Sequence, residues 1–257
     1  MRLQLSNVDD SLLLPGWTYN VSAFKKRSGI QQRFGQDGAW ISGDQKISSR
    51  TLTLNHEIAA VSDTDYDAQI AAITAILYDD LSPFYFSDLD AGMRALVELD
   101  SINPTWQKGL EKRLASIQIS LIMLDAYFEN INVSTQNWTG ATPNSTFNIN
   151  NVSAVDVYPI ITITPAANNL LFSIVNQTTQ DSISISSAAF VPGTTITIDS
   201  QLGTVYLDDG ITQTEISSAV GDGTGFFYLD RGNNVLQYQS LYGNADIVIT
   251  YRPRYAF

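Results

Sequence analysis

Beyond Val155 the chain repeats one pattern: a short run of alternating apolar and polar residues, then a turn built from Gly, Asn or Asp. The runs fall at Val155–Thr164, Leu170–Asn176, Ser182–Ser186, Thr194–Ser200, Thr204–Asp208, Phe226–Leu229, Val235–Tyr238 and Asp246–Tyr255. A period of two places successive side chains on opposite faces of a strand, and no run with helical spacing competes. Short strands at this density predict a β-sandwich or barrel. The last third, Gly203–Tyr255, reads GTVYLDDG, GTGFFYLDRGNNVLQYQ and ADIVITYRPRY, with no nucleophile, base or metal cluster interrupting it.

The first half predicts strands at Arg2–Leu5, Leu12–Leu14, Trp17–Val21, Arg50–Ile58, Phe84–Phe86, Ala95–Leu99 and Leu114–Met123. In the last of these, Ala115, Ile117, Ile119, Leu121 and Met123 share one face, which must cover a core. Leu52, Leu54 and His56 share a face of an earlier strand. One helix is expected, over Asp63–Tyr78. Ser62 or Asp63 can cap it, and Asp65 and Asp67 sit in its first turn, where the helix dipole favours negative charge. Tyr66, Ile70, Ile73 and Leu77 form its apolar face, and Pro83 bars continuation. The polar, Gly-rich stretch Phe24–Gly43 reads as a long exposed hairpin or loop, a kind of segment that usually carries function or disorder.

From Ile131 onward there is no lysine, and the arginines are Arg231, Arg252 and Arg254 alone. Asn130–Asn151 has scattered apolar residues without sustained periodicity. We therefore expect two domains, 1–130 and 131–257, in a mainly β chain with one helix.

The net charge of −12 argues against tight binding to a nucleic-acid backbone or an anionic membrane surface. With no cysteine, disulfides and thiolate metal sites are excluded. No segment approaches the ~20 apolar residues of a membrane-spanning helix, and the N-terminus lacks the apolar run of a secretory signal. A soluble, non-exported protein is expected. The six N-x-[ST] triplets are then by-products of an Asn-, Ser- and Thr-rich chain.

Catalytic chemistry finds little support. His56 is the only histidine, and no HExxH or GxSxG surrounds it. An edge or solvent-facing role is the expectation. Asp9-Asp10, Asp79-Asp80 and Asp208-Asp209 are adjacent pairs, and neighbours on a strand point to opposite faces. Asp208-Asp209-Gly210 reads as a hairpin turn, and Asp222-Gly223-Thr224-Gly225 lacks the acid spacing of an EF-hand loop. Trp138, Phe226, Phe227, Tyr228, Tyr238 and Tyr242 could stack on sugars, but aromatics on a sandwich usually form core or interface. No catalytic residue, metal ligand or cofactor site is assigned.

Two features invite contacts instead. Lys25, Lys26 and Arg27, with Arg33, form a basic cluster in an acidic chain. It could pair with the acidic helix start at Asp63, Asp65 and Asp67 of a neighbouring copy, fixing register more than affinity. Arg252 and Arg254 flank Pro253, which cannot donate to a ladder. That predicts an edge strand whose arginines dock on the acidic first domain or on a partner.

The order of parts resembles the distal tail proteins of long-tailed bacteriophages (siphophages). The matching pieces are the strand–helix–strand run Thr51–Phe86, the long strand Leu114–Met123 and the exit DAYFEN at Asp125–Asn130. In the second half they are YPIITITP, ITIDSQLGTVYLDDG and GFFYLDRGNN followed by ADIVITYRPRY. The resemblance implies an N-terminal belt domain, a split β-barrel with one helix, and a C-terminal galectin-like β-sandwich. It further implies a non-enzymatic structural protein of the virion, made in the bacterial cytoplasm. The belts would form a homo-hexameric ring joining the tail tube protein to hub, tape-measure and receptor-binding proteins. DNA would pass through the lumen, where like charge would limit sticking. Galectin-type sugar binding is not implied, because no His-Asn-Arg…Trp-Glu constellation is present. The alternatives are a carbohydrate-binding host-surface module of the tail tip, or a related tube-end or baseplate hub protein.

Overall fold

The computed structural model describes residues 2–6, 11–23, 29–32, 39–42, 49–77, 83–106, 114–168, 171–187, 190–241 and 243–255. They form two compact units, Met1–Ile131 and Asn132–Tyr255.

The first unit contains β1 (Arg2–Ser6), β2 (Ser11–Pro15), β3 (Thr18–Val21), β4 (Gly29–Gln32), β5 (Ala39–Ser42) and β6 (Arg50–Ala59). Helix α1 (Asp63–Leu77) follows, then β7 (Phe84–Asp88), β8 (Met93–Trp106), β9 (Leu114–Met123) and β10 (Phe128–Asn130). The main sheet runs β2-β1-β7-β8-β9-β6-β3, with β10 paired to the start of β8. Strands β4 and β5 form a separate hairpin within the basic stretch.

The two ends of this strand order, β2 and β3, are joined by Gly16 and Trp17 alone. A two-residue corner can link opposite edges only if the sheet curls until they meet. Gly16 makes the corner with φ +77°, a conformation other residues rarely adopt. Among the described residues no ladder joins β2 to β3, so the sheet is curled but open. It is filled by Leu3, Leu5, Leu52, Leu54, Phe86, Val97, Ile119 and Leu121, each with no exposed surface. Helix α1 adds Tyr66, Ile73 and Leu77, with Ile70 partly buried, as its spacing predicts.

The second unit is a two-sheet sandwich. One sheet is ordered β11-β20-β13-β16-β17-β18 and the other β12-β19-β14-β15. The strands are β11 (Ser134–Ala141), β12 (Thr146–Asn151), β13 (Ile160–Pro165), β14 (Leu171–Asn176), β15 (Asp181–Ser186), β16 (Thr195–Asp199), β17 (Thr204–Asp208), β18 (Gln213–Glu215), β19 (Gly232–Ser240) and β20 (Ala245–Tyr251). Ile161, Ile163, Ile196, Ile198, Ile247 and Ile249 face Phe172, Ile174, Ile183, Ile185, Leu236 and Tyr238 across one core. Each such side chain contributes about 1.5–3 kcal/mol by leaving water.

Three expectations need correction. Asn130–Asn151 holds two strands, β11 and β12. Both are edge strands: the β11 side chains are mostly exposed and do not alternate, whereas β12 alternates, with Phe147, Ile149 and Asn151 turned inward. Phe226–Leu229 forms no strand and makes a single bridge, Leu229 to Val157. The expected strand Asp246–Tyr255 is interrupted: Arg254–Tyr255 form a separate two-residue strand, β21, while β20 lies between β11 and β13 and ends at Tyr251. Pro253 falls beyond its end, where no ladder N–H is required, and is buried.

Candidate functional site

At the start of α1, Ser62 Oγ accepts the Asp65 N–H at 3.1 Å. Asp65 in turn accepts the Val61 N–H at 3.0 Å and the Gln69 side-chain amide at 3.2 Å. The Val61 N–H first, then the Gln69 amide, hold the Asp65 carboxyl below the usual carboxylate range. Asp65 therefore serves its own helix, while Asp63 and Asp67 are the exposed acids of this turn. Lys25, Lys26, Arg27 and Arg33 lie outside the described residues.

The Arg254 N–H donates to Ser153 Oγ at 3.0 Å, and its carbonyl accepts the Ala154 N–H at 2.8 Å. Burial holds its guanidinium below the usual arginine value. Arg252 and Arg254 are both half-buried and both engaged.

His56 departs from its expected place. Its strand β6 is interior, between β9 and β3, and its ring stacks on Trp17 at 4.7 Å with 7° between planes. Burial lowers its pKa, against smaller opposing effects of the Gly16 backbone and Glu57. The stack explains its conformation without any catalytic partner. Asp208 and Asp209 act as turn residues, as expected. Asp208 Oδ1 accepts the Gly210 N–H at 2.8 Å, and Asp209 Oδ1 accepts those of Ile211 and Thr212 at 2.9 and 2.7 Å. Asp9, Asp10, Asp79 and Asp80 lie outside the described residues. Among the described residues no three potential metal-ligating acids or histidines converge.

The aromatics divide. Phe227 and Tyr238 are core. Trp138 stacks on Phe147 at 5.3 Å, joining edge strands β11 and β12. Tyr158 and Tyr228 meet edge to face at 6.4 Å near the surface. Phe226 is partly buried against the core, and Tyr242 lies outside the described residues.

Sequence reasoning missed three buried polar devices. In the first unit, Tyr19 Oη donates to Asp88 Oδ2 at 3.2 Å, and Asp88 Oδ1 accepts the N–H groups of Asp90 and Ala91 at 3.1 Å each. Burial, then the Asp88 carboxylate, pushes the Tyr19 phenol up to about 12. Arg50, 2% exposed, donates to the carbonyls of Ser22 at 2.8 Å and Ala126 at 3.3 Å. In the second unit, Asn151, Asn176 and Asn234 are buried at one end of the sandwich. Asn234 accepts the Asp230 N–H and donates to the carbonyls of Asp230 and Gly232, while Asn176 donates to Asn234 and to the Tyr228 carbonyl. A signal was present: each asparagine continues an inward-facing series, after Ile149, after Ile174 and before Leu236.

Residues 152–255 match the family described as siphovirus-type tail component, C-terminal domain. The fold is similar to that of SPP1 Dit, described as a paradigm of the hub adsorption apparatus in phages infecting Gram-positive bacteria. The TM-score is 0.76 at 12% identity, over 97% of this chain and 98% of that one. It is also similar to a chain of the phage p2 baseplate in its activated conformation with strontium, with TM-score 0.54 at 10% identity over 98% and 97%. The corresponding match with calcium has TM-score 0.52 at 11% identity over 98% and 97%. No curated protein matches in sequence.

Proposed function

We propose that this protein is a structural part of a siphophage tail tip, a distal tail protein: residues 152–255 match the siphovirus-type tail component C-terminal domain, and the whole chain shares the fold of SPP1 Dit. The observation that carries the reading is the end-to-end likeness to SPP1 Dit: it spans both units, so the pairing of curled sheet and sandwich is shared. In this reading six copies close into a ring through the first unit. The ring joins the tail tube to hub, tape-measure and receptor-binding proteins, and DNA crosses its lumen. An acidic chain suits such a channel, because like charge leaves the phosphate backbone no holding point.

Ring closure would use Lys25, Lys26, Arg27 and Arg33 of one copy against Asp63 and Asp67 of the next, with Asp65 fixing the helix that presents them. Arg252 and Arg254 would help dock the peripheral unit. Native mass spectrometry tests the assembly. The reading expects a species of six copies, weakened when Lys25, Lys26 and Arg27 are all reversed to Glu and when salt is raised. A wild-type protein that stays monomeric at high concentration would contradict the ring. Unaltered assembly of the reversed variant at low salt would contradict this contact.

A further inference from the structure

The segment Gly225–Asp230 crosses one end of the second unit without joining a ladder. It buries Phe227 and Leu229. The Gly225 N–H reaches the Ser182 carbonyl at 2.8 Å, and Asn176 holds the Tyr228 carbonyl at 3.1 Å. Its one strand-like contact is the antiparallel bridge to Val157, with N–H···O distances of 3.1 and 2.8 Å. That register sets the neighbours. Tyr158 stands opposite Tyr228, as their ring contact shows, and Asp156 stands opposite Asp230. The same register sets the two carboxyl groups on one side of the paired segments, near enough to act on each other. A bond between two carboxyl groups needs a proton on one of them; with both ionised, like charges sit directly opposite and the bridge is weakened.

We propose that Asp156 and Asp230 form a proton-shared clasp that fastens the Gly225–Asp230 strap over the end of the sandwich when acid and loosens it as the pH rises. The groups facing the clasp favour the shared proton. Asp181, at the start of β15, is a third carboxylate of the group: after burial, its charge and those of Asp230, Asp156 and Tyr158 act on the Tyr228 phenol. Asn151 and Asn234 are neutral and are occupied by strap backbone. The opposing contribution is the Arg231 backbone N–H. Burial, then the bond to and the charge of Asp230, raises the Asp156 pKa above the free carboxyl value. A raised value in the folded state means that the stabilisation is complete below the unfolded pKa. It is lost as pH rises through the folded one.

Hydrogen–deuterium exchange of the full chain, corrected for the intrinsic pH dependence of exchange, tests this at the Val157 and Leu229 amides. In the wild type, strap protection should rise several-fold between about pH 7 and about pH 4. Each unit by which the folded pKa exceeds the free one is worth a tenfold change in opening. Asp156→Asn should be protected at neutral pH and respond little to acid, and Asp230→Asn serves equally if the first variant folds poorly. Wild-type-like pH dependence in the folded variants would overturn the clasp. So would protection by millimolar calcium at neutral pH matching that of acid, because the pair would then be a cation site.

Discussion

Replacing Asn234 by Ala probes the second unit most sharply. Its side chain has no exposed surface and makes four hydrogen bonds. Oδ1 accepts the Asp230 N–H at 2.9 Å and the Asn176 amide at 3.3 Å; Nδ2 donates to the carbonyls of Asp230 at 2.8 Å and Gly232 at 3.1 Å. Alanine strands buried groups on both sides and leaves space no water can serve fully. At about 1 kcal/mol net per bond, with the penalty for orphaned partners, the loss is about 3–5 kcal/mol. Asn233, next in the chain but exposed, should cost within about 0.5 kcal/mol as Ala. Asn234→Asp keeps the acceptor and turns a carboxylate toward two carbonyls. It should be destabilised at neutral pH and partly recover in acid, where protonation restores a donor. The assay is urea unfolding read by hydrogen exchange of β19 amides in the full chain. A loss below about 1 kcal/mol for Asn234→Ala, or one matching Asn233→Ala, would refute the network's role.

Tyr19→Phe removes a donor to Asp88 and should destabilise the first unit by about 1–2 kcal/mol in chemical denaturation. Because the phenol is raised from 10.0 to about 12, the wild type should also lose stability as pH rises from the lower value toward the upper. The variant should lack that alkaline step. Arg50→Ala strands the carbonyls of Ser22 and Ala126 and removes a buried side chain, at a cost of about 2–4 kcal/mol in the same denaturation assay. Asp65→Ala should lower the melting temperature by uncapping α1. Its effect should vanish in acid, because a carboxyl with a depressed pKa stabilises above its unfolded value and loses that contribution as pH falls.

Elements with one buried face were legible from residue types alone. In β9 Ala115, Ile117, Ile119, Leu121 and Met123 alternate and are all buried, and the helix matched its spacing to within a residue. The edge strand β11 was not legible, because a strand wet on both faces has no reason to alternate, and β12 alternates over only six residues with a polar residue, Asn151, ending its inward series. The last strand was read as one where it is two: β20 stops two residues before Pro253, and Arg254–Tyr255 resume as β21. The candidate contacts were legible as charge but not as geometry. Residue types marked an acidic turn at Asp63–Asp67 without revealing that Asp65 is bound to Val61 and Gln69. The buried asparagines show the converse, since their inward phase was visible while their partners, backbone groups up to 79 residues away, were not.

The central claim is that this chain builds the tail-tip ring, and electron microscopy of the purified full-length protein tests it most directly. The account predicts closed rings of six, with the curled sheets around an open channel and the sandwiches projecting outward. Single particles at every concentration, or rings closed through the sandwiches with the curled sheets outside, would contradict it.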